Sequence, residues 1–475
     1  MKKTLLSVVA ISLLVSSANA EDISDLESKV DMLTKKLEKL EKKQQRNTKA
    51  VSKVNALAAQ DNIKFNVDLR TSYDAVSYEA TDGKTYENTS GLFSNRLWLG
   101  MGYAPTSNMT FIGQLAFNKA FGASYAQRAT GAGFDTFDWV INENLTDDTI
   151  KLREAYWIWK PTVGGLKTTF SIGRRPSTNG FLANLREDDA KEKSPLGHVI
   201  NMEFDGGSAA VMLDKYVPGM YFKVCLGRGL TNAASWANNT GMNYITTTTG
   251  LDTSDFAGFI FVPYDDGQYR VKTTAYRGMS LPGMSTNGTP TPTDDFMKTM
   301  GDEDGAAISF MVNGIGDEIN DFLDDTIVFA SFATSISHPD DGEAMMGSTD
   351  SKTGTSYWIG TQMPNYTGGH FGLEYNHGSK YWRPFTYGED TMIGSKIAVR
   401  GSAYEAYWTQ PLVKKGSKDI FSMQVRYTYL DYDFTGSNGF FGDYGTPYEI
   451  DSPQAIGMNA VKTAQDIRVY FRYRY

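Results

Sequence analysis

The stretch Gln465-Asp466-Ile467-Arg468-Val469-Tyr470-Phe471-Arg472-Tyr473-Arg474-Tyr475 decides the fold. Ile467, Val469, Phe471, Tyr473 and Tyr475 fall on every second position, and Asp466, Arg468, Tyr470, Arg472 and Arg474 fall between them. A period of two means a β-strand with two unlike faces. One face is wholly apolar or aromatic, and the other carries three arginines. A soluble sandwich could place such a strand on its surface, so the remainder of the chain must discriminate.

The same alternation recurs upstream. Strands are expected at about 62–75, 93–104, 109–118, 150–160, 166–175, 199–213, 219–227, 256–262, 268–277, 305–312, 326–336, 355–363, 368–377, 396–409, 419–431 and 465–475. That is sixteen, with fourteen or eighteen left open. Their connections alternate long and short. Long ones fall near 76–92, 119–149, 176–198, 228–255, 278–304, 337–354, 378–395 and 432–464, with short turns such as 105–108 and 161–165 between them. Short turns on one side and long loops on the other are the pattern of a transmembrane β-barrel. The predicted fold is all-β, a 16-stranded antiparallel transmembrane barrel over 61–475. No internal run reaches the roughly 18 apolar residues of a membrane helix. A barrel tolerates the mean hydropathy of −0.37, because only alternate residues face lipid.

Two segments precede the barrel. Residues 1–20 read as a signal peptide: Lys2 and Lys3, an apolar run from Leu5 to Val15, and the small-x-small site Ala18-Asn19-Ala20. Residues 21–60 carry a heptad seam, Ile23, Leu26, Val30, Leu33, Leu37, Leu40, Gln44, Asn47, Val51 and Val54, at alternating spacings of three and four. Such a seam predicts an N-terminal α-helical coiled coil, its polar Gln44 and Asn47 fixing register. The seam alone does not separate two chains from three.

Composition excludes several functions. Cys225 is the single cysteine, so neither an intramolecular disulfide nor a cysteine-rich metal or haem site can form. Removing Lys2 and Lys3 leaves 44 basic residues against 55 acidic ones, a net charge of −11. A chain this acidic is a poor nucleic-acid ligand. The four histidines, His198, His338, His370 and His377, fit no G-x-S-x-G or H-E-x-x-H pattern. No enzyme activity, cofactor or metal is expected.

The strand faces then place the chemistry. Phe421, Met423, Val425, Tyr427 and Tyr429 oppose Ser422, Gln424, Arg426 and Thr428; Ile63, Phe65, Val67 and Leu69 oppose Lys64, Asn66, Asp68 and Arg70; Ile397 and Val399 oppose Arg400. Charge on the lipid face costs a few kcal/mol near the midplane, so the polar faces must line the inside. Arg70, Arg96, Arg175, Arg400, Arg426, Arg468 and Arg472 form the expected pore-lining basic wall, and strand 150–160 stays ambiguous because Arg153 and Glu154 oppose each other. A sixteen-stranded barrel is too wide for wall side chains to fill.

The last strand resembles the C-terminal signal of bacterial outer-membrane barrels. Ile467, Val469, Phe471, Tyr473 and Tyr475 would be read by the assembly machinery, and the strand would pair with strand one to close the barrel. The whole precursor resembles a trimeric bacterial porin with an N-terminal coiled coil. The segment 152–181, with Gly173-Arg174-Arg175-Pro176-Ser177-Thr178-Asn179-Gly180, resembles an uncharacterised family of outer-membrane porin-like proteins. In sixteen-stranded porins the loop after strand five folds inward. Here it carries Arg186, Glu187, Asp188 and Asp189, which would set a transverse field against the arginine wall.

These resemblances imply a homotrimer in the bacterial outer membrane, its coiled coil in the periplasm. Its partners would be lipid and lipopolysaccharide, and it would pass small hydrophilic solutes or ions by passive diffusion. The alternatives are an anchor that tethers the membrane to the cell wall through the coiled coil, or a barrel hydrolase.

Overall fold

The computed structural model describes residues 63–122, 149–175, 177–189, 191–235, 244–246, 251–285, 296–316, 319–387, 389–416 and 418–475. The expected signal peptide, the heptad seam and Pro176 lie outside these residues. Ile63–Tyr103 and Asn108–Tyr475 form one compact unit.

Sixteen strands build the wall of one sheet: β1 Lys64–Ala80, β2 Leu92–Thr106, β3 Met109–Ala120, β4 Lys151–Trp159, β5 Leu166–Arg175, β6 Phe204–Met212, β7 Tyr221–Leu230, β8 Ser254–Asp265, β9 Tyr269–Ser285, β10 Phe296–Asn313, β11 Ile327–Pro339, β12 Thr353–Pro364, β13 His370–Gly378, β14 Gly401–Lys415, β15 Lys418–Tyr432 and β16 Val461–Arg474. Short strands at Thr85–Glu87 and Thr162–Val163 add to the rims. Neighbouring strands run antiparallel; β2 and β3 meet where the Phe121 N–H donates to the Phe93 carbonyl at 2.8 Å.

The last strand closes the sheet on the first. Asp68 pairs with Arg474, Arg70 with Arg472 and Asp74 with Arg468. Val67 and Tyr475 exchange backbone hydrogen bonds of 3.0 and 2.9 Å. The opening alternation holds here residue by residue. Ile467, Phe471 and Tyr473 are 49, 44 and 39% exposed, whereas Arg468 and Arg472 are 0 and 3% exposed. The exposed faces of the other strands are apolar too, including Phe65, Leu69, Leu226, Phe259, Phe310, Phe332, Ile359, Leu373 and Tyr427. No described helix is long and apolar enough to cross a membrane. A closed ladder leaves no strand edge unpaired, so a barrel with this exterior can span a bilayer.

Three sequence expectations are corrected and one ambiguity, at Arg153 and Glu154, is resolved. β14 begins at Gly401, not near 396, so Ile397, Val399 and Arg400 belong to the preceding connection and all three are buried. Their period of two runs straight into a true strand, which hid the boundary. β10 begins at Phe296, so Asp302-Glu303-Asp304 lies in the wall and not in a loop. There Arg277 holds Asp302 and Asp304, while Glu303 accepts a 3.0 Å bond from the buried Tyr276 hydroxyl. Arg153 and Glu154 are both buried because the β3–β4 ladder shifts register beside them. An extra residue in one strand turns two consecutive side chains to the same side. The third correction concerns the inner face of β8, β10 and β11, which is apolar over much of its length: Phe256, Ile260, Val262, Ala307 and Ala333 are buried there.

Those apolar residues pack against chain inside the barrel. Residues 177–202 and 379–400 both leave the wall and run within it. They are joined where Asn201 N–H donates to the Phe385 carbonyl at 2.7 Å and Phe385 N–H donates to that of Val199 at 2.8 Å. Val199, Ile200, Met202, Trp382 and Phe385 share a cluster with the apolar inner wall, and Phe440 and Phe441 from the β15–β16 connection complete it.

Candidate functional site

The arginines come together as the alternation requires. Arg70 pairs across the ladder with both Arg472 and Arg96, and Arg426 pairs with Arg468. Five guanidinium groups thus share the inner face of the adjacent strands β15, β16, β1 and β2. Repulsion among them in a low-dielectric bore needs counter-charge. Much of it comes from Asp390, on the inserted 379–400 segment. Its carboxylate accepts from Arg70, with one bond of 2.8 Å to Oδ1, and from Arg468 Nη1 at 2.8 Å. Its carbonyl accepts from Arg426 Nη2 at 2.7 Å, and Arg96 Nη1 stands 4.0 Å from Oδ2. Burial alone would raise this carboxyl; Arg70 and Arg468 outweigh that and hold it well below the usual carboxylate range.

Loop 177–202 supplies more acids to the same wall. Glu187 lies 3.6 Å from Arg426, and its carbonyl accepts from Arg472 Nη1 at 2.6 Å. Asp189 is 3.2 Å from Arg472, and Asp188 pairs with Arg474. Wall acids complete the balance: Asp68 with Arg472, and Asp74 with Arg468. The acids and arginines singled out in the sequence therefore touch directly. Arg426 and Glu187 are each 2% exposed, and the arginines at this face are in ion pairs instead of facing open water.

The remaining expected wall residues fall elsewhere. Arg400 is fully buried at the end of the inserted segment. It donates to the backbone carbonyls of Trp382 at 3.0 Å, Thr435 at 3.1 Å and Gly445 at 2.6 Å. Arg175 sits at the end of β5, away from the cluster, and donates to Ser208 Oγ at 2.9 Å and to Ser171. Arg186 points to a different acid set, donating to Glu389 at 2.8 Å and Glu405 at 3.3 Å. Lys396 bridges Glu405 and Glu374, so β13, β14 and both inserted segments join in one buried network.

His198 pins the loop on the opposite side. Its Nδ1 is 2.7 Å from Ser331 Oγ, its Nε2 is 3.0 Å from Ser356 Oγ, and the Trp358 and Trp382 rings meet it edge-on. Burial pushes the imidazole down to about 3, so the ring stays neutral. His370 and His377 lie on opposite faces of β13, as their odd spacing requires: His370 is 3.9 Å from Asp188, whereas His377 packs on Tyr357. Among the described residues no group of histidine, cysteine and acidic side chains has metal-site geometry.

Below the inserted loop, toward the short turns, a cavity of about 1200 Å³ opens. Its charged lining is balanced: Lys64, Arg270, Lys415, Arg472 and Arg474 against Asp68, Asp188, Asp189, Glu192 and Asp419. Sequence reasoning missed Asp390 and Glu389, because 378–395 read as an external loop, and Lys396, because it was placed at the start of a strand at 396–409. The available signal was the density of Trp382, Phe385, Ile393 and Ile397 in a connection that should have been polar.

Residues 86–475 match the model of the family described as "Protein of unknown function (DUF3373)", and the chain belongs to that family. No curated protein sequence matches the chain. Among solved structures, the chain is similar to the anion-selective porin from Comamonas acidovorans, at 10% identity and TM-score 0.46, covering 87% of this chain and 100% of that one. It is similar to the trimer form of OmpT, an outer membrane protein of Vibrio cholerae, at 11% identity and TM-score 0.44, covering 87% and 99%. It is also similar to OprB of Pseudomonas putida in its high-pH structure, at 11% identity and TM-score 0.44, covering 89% and 96%. The barrel assignment rests on the strand pairing described above.

Proposed function

We propose that this member of the family is an outer-membrane channel of the porin type, passing small hydrophilic solutes or ions by diffusion past a narrow, charged constriction. The observation that carries the reading is the contact of the arginine face with Asp390, Glu187 and Asp189 of the two inserted segments. The ion-paired seam is the polar side of the bore, whereas the opposite side is closed by apolar packing. The wall is of a size that its own side chains do not fill, and the cavity toward the turns supplies a vestibule. Its balanced lining supports weak ion selectivity, since lining charge near the narrowest point sets preference. Export through residues 1–20, a periplasmic coiled coil over 21–60 and a homotrimer complete the proposal.

The test is planar-bilayer current from the purified mature protein under a salt gradient. The expected result is stepwise conductance in groups of three with a small reversal potential. A second reading, an anchor whose barrel carries no current, is favoured by the burial of the inserted segments. Correctly folded protein that gives no conductance would select it.

A further inference from the structure

Two neighbouring cations of the bore depart from the pattern of the arginine face. Arg70, Arg153, Lys272 and Arg472 on the inner wall each meet a carboxylate, and Arg400 is wrapped in backbone carbonyls. Arg175 and Lys223 meet neither. Arg175 Nη1 donates to Ser208 Oγ at 2.9 Å and to Ser171, and its Nε is buried without a partner. Lys223 Nζ donates to Ser194 Oγ at 2.7 Å. The carboxylate of Glu154 is taken by Lys193 and by Arg153 at 3.3 Å.

Both cations line one cavity of about 70 Å³ between β5–β9 and the inserted 177–202 loop. Gly206, Gly227 and Gly258 carry no side chain into it, and Ile200, Phe204 and Ile260 give it an apolar floor. A hydroxyl brings no charge, so two cations share a partly desolvated space with no carboxylate of the described residues at ion-pair distance from either. Each serine that accepts from a cation keeps its own O–H free to donate. The cavity therefore offers a guanidinium, an ammonium and the hydroxyl donors of Ser194 and Ser208 around a volume that takes a few heavy atoms.

We infer that this cavity is a binding site for a small organic carboxylate, the anion seated between Arg175 and Lys223 and its short apolar tail against Phe204 and Ile260. The site lies on the wall away from the Asp390 cluster. It does not depend on ion flow through the bore.

The chain's single cysteine reports on it. Cys225 lines the same cavity and pairs across the ladder with Ser208, which holds Arg175. The experiment compares the rates at which the full-length folded protein reacts with sulfonatoethyl and trimethylammonioethyl methanethiosulfonate, which differ in charge. The anionic reagent is expected to react faster by about tenfold, the lower end of what a charged cleft contributes to encounter, and propionate is expected to slow it. Arg175→Gln and Lys223→Gln should each reduce the preference, and Lys223→Arg should keep it. Heat-modified gel migration verifies that each variant has folded. Equal rates, faster reaction of the cationic reagent, no reaction of either, or no protection by propionate would overturn the inference. Because no current is measured, a silent bilayer and an unselective cysteine are separate failures.

Discussion

The two sides of the bore hold the inserted segments by different physics. On β15, β16, β1 and β2, contact is made by Arg70, Arg96, Arg426, Arg468 and Arg472 with Asp390, Glu187 and Asp189. On β8, β10 and β11, it is made by Phe256, Ile260, Val262, Ala307 and Ala333 with Ile200, Trp382 and Phe385. Apolar contact is non-directional and tolerates small losses. A buried ion pair fails abruptly when one member is removed, because its partner remains charged without a counter-ion. The charged side is therefore where the insertion can be released, and the apolar side is where it is merely loosened.

The sharpest way to break that contrast is Asp390→Ala. It removes the buried carboxylate that Arg70 and Arg468 share, and the expected loss is about 3–5 kcal/mol. Hydrogen exchange should report it as faster exchange confined to 379–400. An intermediate effect is expected for His198→Phe, which keeps a ring between Trp358 and Trp382 but leaves Ser331 and Ser356 each short of a partner. The cost is about 1–3 kcal/mol, read from denaturant midpoints of tryptophan fluorescence. Ile260→Val, on the apolar side, should cost only about 0.5–1.5 kcal/mol and leave exchange in 379–400 unchanged. Arg228→Gln removes an outward rim pair with Asp255 that is half exposed, and its midpoint should match the parent's within error.

Acid tests the charged side without mutation. The folded pKa of Asp390 is depressed, so its stabilisation is complete above the unfolded value of about 4. It is lost only as pH falls through the much lower folded value. Exchange protection in 379–400 should therefore persist from pH 8 to pH 4. Loss of protection near pH 6 would mean that Asp390 is not held by the arginines.

The same contrast explains what the sequence could reveal. On the arginine side, polar and apolar residues alternate cleanly, so faces, closure and the cross-strand clustering of arginines were legible from Gln465–Tyr475 and its counterparts. On β8, both faces are apolar, as Phe259 and Phe261 alternate with Ile260 and Val262. Period two then carries no information on which side meets lipid and which meets core. The 379–400 insertion escaped for a related reason: Ile397, Val399 and Arg400 alternate as a strand would. The loop after β5 was legible as the bearer of acids, but the partners of its Arg186, Glu389 and Glu405, depend on contacts across the bore that no local pattern encodes.

The most direct test of the account is single-channel conductance of the parent protein beside Asp390→Ala under identical salt. The account predicts small parental steps and larger, noisier steps in the variant, because releasing 379–400 from the arginine face widens the path. Parental steps of a wide, open bore, unchanged by the substitution, would contradict it.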